Sequence, residues 1–152
     1  MYKTIVVGTD GSETAGVALH HAVELAKACN ATLHIVNVYK PMSTGNLASS
    51  AMAGGPTFDL AAVNSGLENE STVICSRAAS QAEAANVKHE THAIPGDPAD
   101  VLIELAEQVD ADVIVIGNRG MTGVRRFVLG SVPNKISHHA PCSLLIVNTA
   151  RD

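Results

Sequence analysis

Val113-Ile114-Val115-Ile116-Gly117-Asn118-Arg119-Gly120, followed after nine further residues by Gly130-Ser131, is the stretch on which the reading of this chain turns. The four apolar residues read as a buried strand. The glycines let bare backbone approach a ligand, and Ser131 opens a helix whose first N–H groups can receive an anion. Charge is distributed to match. No Asp or Glu occurs from Val113 to Arg151, while Arg119, Arg125, Arg126 and Lys135 lie within or just after the glycine stretch. In a chain of net charge −5, the acids have been kept from the one region where an anion would sit.

Working outward, strands are expected at about Lys3 to Thr9, Thr32 to Val38, Val87 to Ile94, Asp112 to Gly117 and Ser143 to Asn148. Helical patterns fill the gaps. Ser12 is a fitting N-cap for a first helix whose apolar positions Ala15, Ala18, Leu19, Ala22, Ala26 and Cys29 recur at helical spacing and which ends near Asn30. Asp97-Pro98 opens another, with Leu102, Leu105, Ala106 and Val109 as its buried stripe. A long helix is expected from Phe58 or Asp59 to Ala85, although Gly66 and the Ser/Asn content argue against it locally. Pro41 to Thr57, rich in Gly, Ser and Ala, reads as a mobile loop. Alternating strands and helices imply right-handed crossovers and a parallel sheet, an α/β doubly wound fold. The polar third strand, Lys88 to Ile94, suits a sheet edge, and the first and fourth suit its centre.

At 152 residues the chain is most simply one domain, residues 1–152. Aromatic residues are 3% of the composition, so the core must be built from Ala, Val, Ile and Leu. No apolar run approaches the roughly 20 residues that span a bilayer, and the first residues lead straight into a strand, so a cytoplasmic protein is expected, with neither membrane nor nucleic acid as partner. Cys29, Cys75 and Cys142 lack C-x-x-C spacing and read as reduced thiols.

The spacing G-x2-G-x9-G-[ST] at Gly117, Gly120, Gly130 and Ser131 resembles that of the universal stress protein family in its nucleotide-binding branch. The opening Lys3-Thr4-Ile5-Val6-Val7-Gly8-Thr9-Asp10-Gly11-Ser12 and the closing His139-Ala140-Pro141-Cys142-Ser143-Leu144-Leu145-Ile146-Val147 resemble the family's first and last landmarks. The resemblance implies a five-stranded, Rossmann-like parallel sheet of order 3-2-1-4-5 with helices on both faces. In that order the crevice opens between the first and fourth strands. It further implies that Gly117 and Gly120 approach ribose and phosphates, and that Gly130, Ser131 and Val132 present N–H groups and a hydroxyl to the phosphate chain. Thr9 and Val38 would help form the adenine pocket, with Ile116 counted among the contacts. Asp10 would meet a ribose hydroxyl or a Mg2+ bridging phosphates. Among the arginines Arg119, between two glycines, is the first expected to reach a phosphate. Pro133 has no N–H, so the donors must precede it.

The function implied is an ATP-binding, nucleotide-responsive module of the stress response. Three alternatives stand beside it: a cyclic AMP-binding protein using the same pocket, with Asn118 where many family members carry Ser; a slow ATPase or autophosphorylating enzyme; and a dimeric interaction protein that needs no nucleotide. A Walker P-loop and a G-x-G-x-x-G fingerprint are both absent from the sequence. A metal site built from histidines is not expected, since His20-His21 and His138-His139 diverge on helices and His89 and His92 point to opposite faces of one strand. Ser143 to Asn148, an apolar edge strand without protective charges or prolines, calls for cover. The resemblance supplies a second copy, giving a homodimer.

Overall fold

The computed structural model describes residues 1–45, 52, 54, 59–118 and 129–149. Arg119, Gly120, Arg125 and Arg126, and most of the Pro41 to Thr57 segment, lie outside the described residues. Five strands, β1 (Thr4–Gly8), β2 (Thr32–Tyr39), β3 (His89–Pro95), β4 (Val113–Gly117) and β5 (Ser143–Val147), form one parallel sheet in the order β3-β2-β1-β4-β5. Among the described residues four helices connect them: α1 (Glu13–Cys29), α2 (Leu60–Ala84), α3 (Pro98–Gln108) and α4 (Ser131–His139).

Alternation along the central strands decides which layer each side chain joins. Ile5 and Val7, Leu33 and Ile35, and Val113 and Val115 pack with α1 and α2, whereas Val6, Val36, Ile114 and Ile116 pack with α3 and Ile136 of α4. Because both faces are covered, β1 and β4 are apolar throughout rather than alternating. Alanine dominates the buried stripe of α1, with Ala15, Ala18, Ala22 and Ala26 all inside, so the helix lies close on the sheet.

The caps form where the sequence places them. Ser12 Oγ accepts from the Ala15 N–H at 3.1 Å, and Asn30 closes α1 in the left-handed conformation at φ 52°. Asp97 caps α3 through the N–H groups of Ala99 and Asp100, with Pro98 at the first helical position. Asp59, to which the sequence reading assigned no cap, closes the start of α2 through the N–H groups of Ala61 and Ala62. That helix tolerates its polar content because Thr72, Ser76 and Ser80 donate their hydroxyls to the carbonyls of Glu68, Thr72 and Ser76 at 3.0, 3.0 and 3.2 Å. Gly66 faces open space. Asn64 exchanges hydrogen bonds with the backbone of Met42, N–H to Oδ1 at 2.8 Å and Nδ2 to O at 3.2 Å, so the segment leaving β2 is fastened to α2.

Strand boundaries shift by one residue from the sequence reading in β1, β2, β4 and β5, and by two at the start of β3. β3 starts at His89 because Val87 turns inward instead, 7% exposed, with its N–H on the Ala82 carbonyl at 2.9 Å to close the end of α2. The histidines of β3 diverge as alternation requires: His89 lies 3.8 Å from Glu83 of α2, and His92 faces the other side. What one strand could not reveal is His34 of β2, whose ring meets that of His92. Burial is the chief reason both imidazoles sit below the usual histidine range, against the pull of Glu90. No helix among the described residues is long and apolar enough to cross a membrane.

Asp112 anchors the amino end of the sheet, its Oδ2 accepting from the N–H groups of Lys3 at 2.6 Å and Thr4 at 2.9 Å. Those two bonds hold its carboxyl below the ordinary aspartate value. A depressed folded-state value contributes stability above the unfolded pKa that is lost as pH falls through the folded one. The melting temperature of Asp112→Ala should therefore lie below wild type by a constant margin between pH 7 and 5. The margin should shrink below about pH 4, near the unfolded value of Asp. Parallel melting curves that stay equally separated down to pH 2.5 would refute this account of the contact.

Candidate functional site

A crevice of about 550 Å3 opens at the carboxyl ends of the strands, between β1 and β4. Its floor and apolar wall come from Val36 and Val38 of β2, Leu102 of α3, Ile116 of β4 and Val132 of α4. Residues that can offer polar groups line it too: Thr9 and Asp10 after β1, Gly117 and Asn118 at the end of β4, and Gly130 and Ser131 at the start of α4. A volume in this range with an apolar body and few polar groups suits a small organic ligand.

Thr9 is held on every side. Its N–H donates to the Val36 carbonyl at 2.9 Å, its Oγ1 accepts from the Gly11 N–H at 3.2 Å, and its carbonyl accepts from Asn37 Nδ2 at 2.7 Å. Asn37 is 5% exposed, and its own carbonyl accepts from Ser71 Oγ of α2 at 3.4 Å. The β1 and β2 ends are thus locked in register where the crevice begins. Asp10 Oδ1 accepts from both the N–H of Ser12, at 2.9 Å, and its hydroxyl, at 2.5 Å. Asp10 thereby orients the residue that caps α1 and lines the crevice as well, so its structural and ligand-facing readings coexist.

The start of α4 is built differently from the other helix starts. Gly130 occupies its N-cap position with φ −58° and ψ 162°, and no side chain caps it. Where Ser12, Asp59 and Asp97 each cap the first turn of their helices, no side chain among the described residues caps α4, whose Ser131 and Val132 line the crevice. A φ of −58° is open to any residue, so the turn does not require glycine for a positive φ. A Cβ at Gly130 would meet the Asn118 carbonyl and Pro133 Cδ at 3.5 Å, both ordinary contacts. Neither the backbone conformation nor steric pressure from the described residues demands glycine here. Its missing side chain leaves the approach to the helix end open.

Asn118 joins this site to the sheet edge. Its carbonyl accepts from the Gly130 N–H at 3.3 Å, bringing together the two ends of the segment between them, while its N–H donates to Val147 of β5 at 2.9 Å. Its Oδ1 accepts from the N–H and hydroxyl of Thr149 at 3.0 and 2.8 Å, and its Nδ2 donates to Asn148 Oδ1 at 3.3 Å. The amide orientation is fixed, since a backbone N–H can only donate.

Of the residues expected at the site, Thr9, Asp10, Val38, Ile116, Gly117, Gly130, Ser131 and Val132 all line the crevice, and Arg119 and Gly120 lie outside the described residues. Lys135 departs from its grouping with the arginines around an anion. Its ammonium lies 2.7 Å from Asp100 Oδ1 and 3.3 Å from Asp97 Oδ1, joining α4 to the start of α3. A charge paired with two carboxylates adds little to an anion site. Asn37, Pro98 and Leu102 also line the crevice and escaped the sequence reading. Asn37 left a signal, a lone polar residue within the apolar run Ile35-Val36-Asn37-Val38. Leu102 left none, because a buried-stripe leucine and a pocket leucine read alike.

The Universal stress protein family model matches residues 1–148. A universal stress protein of Mycobacterium tuberculosis is 34% identical over 149 residues, covering 97% of each chain. Among solved structures, a universal stress protein in complex with cAMP is 34% identical at a TM-score of 0.69, covering 98% of both chains. The Archaeoglobus fulgidus universal stress protein in complex with dAMP is 25% identical at 0.65, covering 97% of this chain and 98% of that one. Sequence order, sheet topology and whole-chain similarity converge on one conclusion: this chain belongs to the universal stress protein family.

Proposed function

We propose that the protein binds an adenine nucleotide in the crevice between β1 and β4, with ATP as its ligand, and acts as a nucleotide-responsive module in stress physiology. The observation that carries this reading is the uncapped start of α4 at Gly130, turned toward a crevice with an apolar floor. Phosphates would take the N–H groups of Ser131 and Val132 and the Ser131 hydroxyl, the base would lie against Val38 and Ile116 beside Thr9, and ribose would approach Gly117. Arg119 and Gly120 complete the proposed set from sequence alone. Mg2+ carried by the nucleotide would be met by Asp10, the carboxylate that lines the crevice. The complexes of related proteins with cAMP and dAMP support an adenine nucleotide as the ligand class. The first of these, at 34% identity, favours cAMP as the second reading.

Parallel calorimetric titrations of stripped protein with ATP and cAMP, each with and without Mg2+, separate the readings. ATP binding that tightens with Mg2+ and exceeds cAMP binding is the expected result. With no Trp and two Tyr in the chain, bound adenine should dominate the near-ultraviolet spectrum of protein purified without stripping. A spectrum free of excess 260 nm absorbance, together with no binding of either ligand, would remove the proposal.

Gly130→Glu tests the phosphate end directly. A carboxylate placed beside the α4 start should cost on the order of 2 to 4 kcal/mol of ligand binding, roughly 30-fold to nearly a thousandfold in affinity. The melting temperature of the empty protein should change little, because the new Cβ meets only ordinary contacts. Gly130→Ala, adding bulk without charge, should lose far less. Wild-type affinity for both ligands in a folded Gly130→Glu protein would contradict the assignment.

The same proposal includes a homodimer through β5. This strand lies at the sheet edge, and Leu145 is 38% exposed on it. An unpaired apolar edge is a template for a second strand, and a two-fold pairing of identical edges closes it. Light scattering at micromolar concentration should give the mass of a dimer, and Leu145→Lys should shift it toward the monomer. A monomeric wild type, or an unchanged mass in the variant, would rule this out.

A further inference from the structure

His34, 6% exposed near the start of β2, shares a sheet face with Val36. The register sets Glu90 of β3 directly across from it, and His92, next but one along β3, lies on the same face. His34 Nδ1 stands 3.0 Å from His92 Nε2 and 3.9 Å from Glu90 Oε2, and the three possible ligand atoms all fall within 4.8 Å of one another. The ring planes differ by 26° and the centroids are 5.3 Å apart. That separation equals the N···N contact plus the two ring radii, so the imidazoles meet end to end rather than face to face. One hydrogen fills the gap: one nitrogen donates and the other accepts.

We propose that His34, His92 and Glu90 form a binding site for a divalent first-row transition ion of the zinc class, bracing the edge strand β3 to β2. The donor set supports this choice: two neutral imidazoles and one carboxylate suit Zn2+, Co2+ or Ni2+ and disfavour Mg2+ and Ca2+, which take oxygen ligands. The backbone supplies a tripod, with two ligands at alternate positions of one strand and the third across the ladder. His34 is the fixed leg, held in the interior, and ligation through Nδ1 puts its ring proton on Nε2. The other two legs lie on the sheet edge, Glu90 exposed and His92 only partly covered, so an ion can enter from solvent. To bind, His92 turns so that its lone pair converges with that of His34, and Glu90 swings inward from 3.9 Å. None of His34, Glu90 and His92 lines the crevice, although His92 stands across the ladder from Val36, which does.

The test uses the full chain, freed of metal with a chelator and titrated with Zn2+ by calorimetry and with Co2+ by visible absorption. One ion per chain is expected at this site, with a Zn2+-dependent rise in melting temperature. His92→Asn should weaken binding at least about tenfold and abolish the thermal shift, since it removes one of two strong ligands. Should His92→Asn fold poorly without metal, Glu90→Gln on the exposed edge decides, with an expected loss of several-fold and an unchanged melting temperature in the metal-free protein. Absence of Zn2+ and Co2+ binding at 100 micromolar would overturn the proposal. So would binding that neither variant weakens, which would put the ion on other histidines such as His20-His21 or His138-His139.

Discussion

The pairing of β1 with β4 is the constraint from which the rest of the structure follows. In parallel register, with Ile5 against Val113 and Val7 against Val115, it joins two strands with more than half the chain between them. Up to β3 the chain adds strands in one direction, with α1 and α2 on one face; the crossover α3, which leads back to β4, and then α4 cover the other. The helices that follow β1 and β4 therefore leave in opposite directions, and the crevice is the space they vacate. Its existence is a property of topology; its chemistry comes from what the two strand ends deliver, Thr9-Asp10 on one side and Gly117-Asn118 on the other.

Rigidity around that space is unevenly distributed. The β1 and β2 ends are fixed through Asn37, whose amide bonds the Thr9 carbonyl and whose backbone reaches Ser71 of α2. The β4 end is fixed through Asn118, which bonds Gly130 by its carbonyl, β5 by its N–H and the residues just past β5 by its side chain. One residue thus touches both the helix start that faces the crevice and the strand at the exposed edge. A displacement of Gly130 has a short covalent and hydrogen-bonded route to Val147 and Thr149, which makes Asn118 the place where pocket and edge share a physical connection.

The two edges of the sheet are managed by different chemistry. β3 is polar, its Glu90 exposed and His92 partly so, which discourages pairing with another strand. β5 is apolar, and its Leu145 is left partly bare. Helix α4 meets α3 through Lys135 between Asp97 and Asp100, an exposed cluster that uses a cation otherwise available to the anion site. Its contribution to stability is small, as for most surface pairs, but it decides where that charge points.

The sequence by itself determined what depends on neighbours along the chain. Apolar runs and helical spacing placed the five strands and four helices of the described residues, because burial on one stripe or on both faces leaves a periodic trace. Caps at Ser12 and Asp97 follow from side-chain oxygens one turn from the donors they satisfy. The glycine spacing marked Gly117, Gly130 and Ser131, which the fold brings to one crevice. Tertiary structure alone decided what depends on partners remote in sequence. It gave Lys135 to the acids of α3, and it turned Asn37 to hold Thr9. It also set His34 against His92 across fifty-eight positions of chain. A cross-strand neighbour is fixed by register, and register is set by the packing of the whole sheet against its helices, which no local pattern encodes.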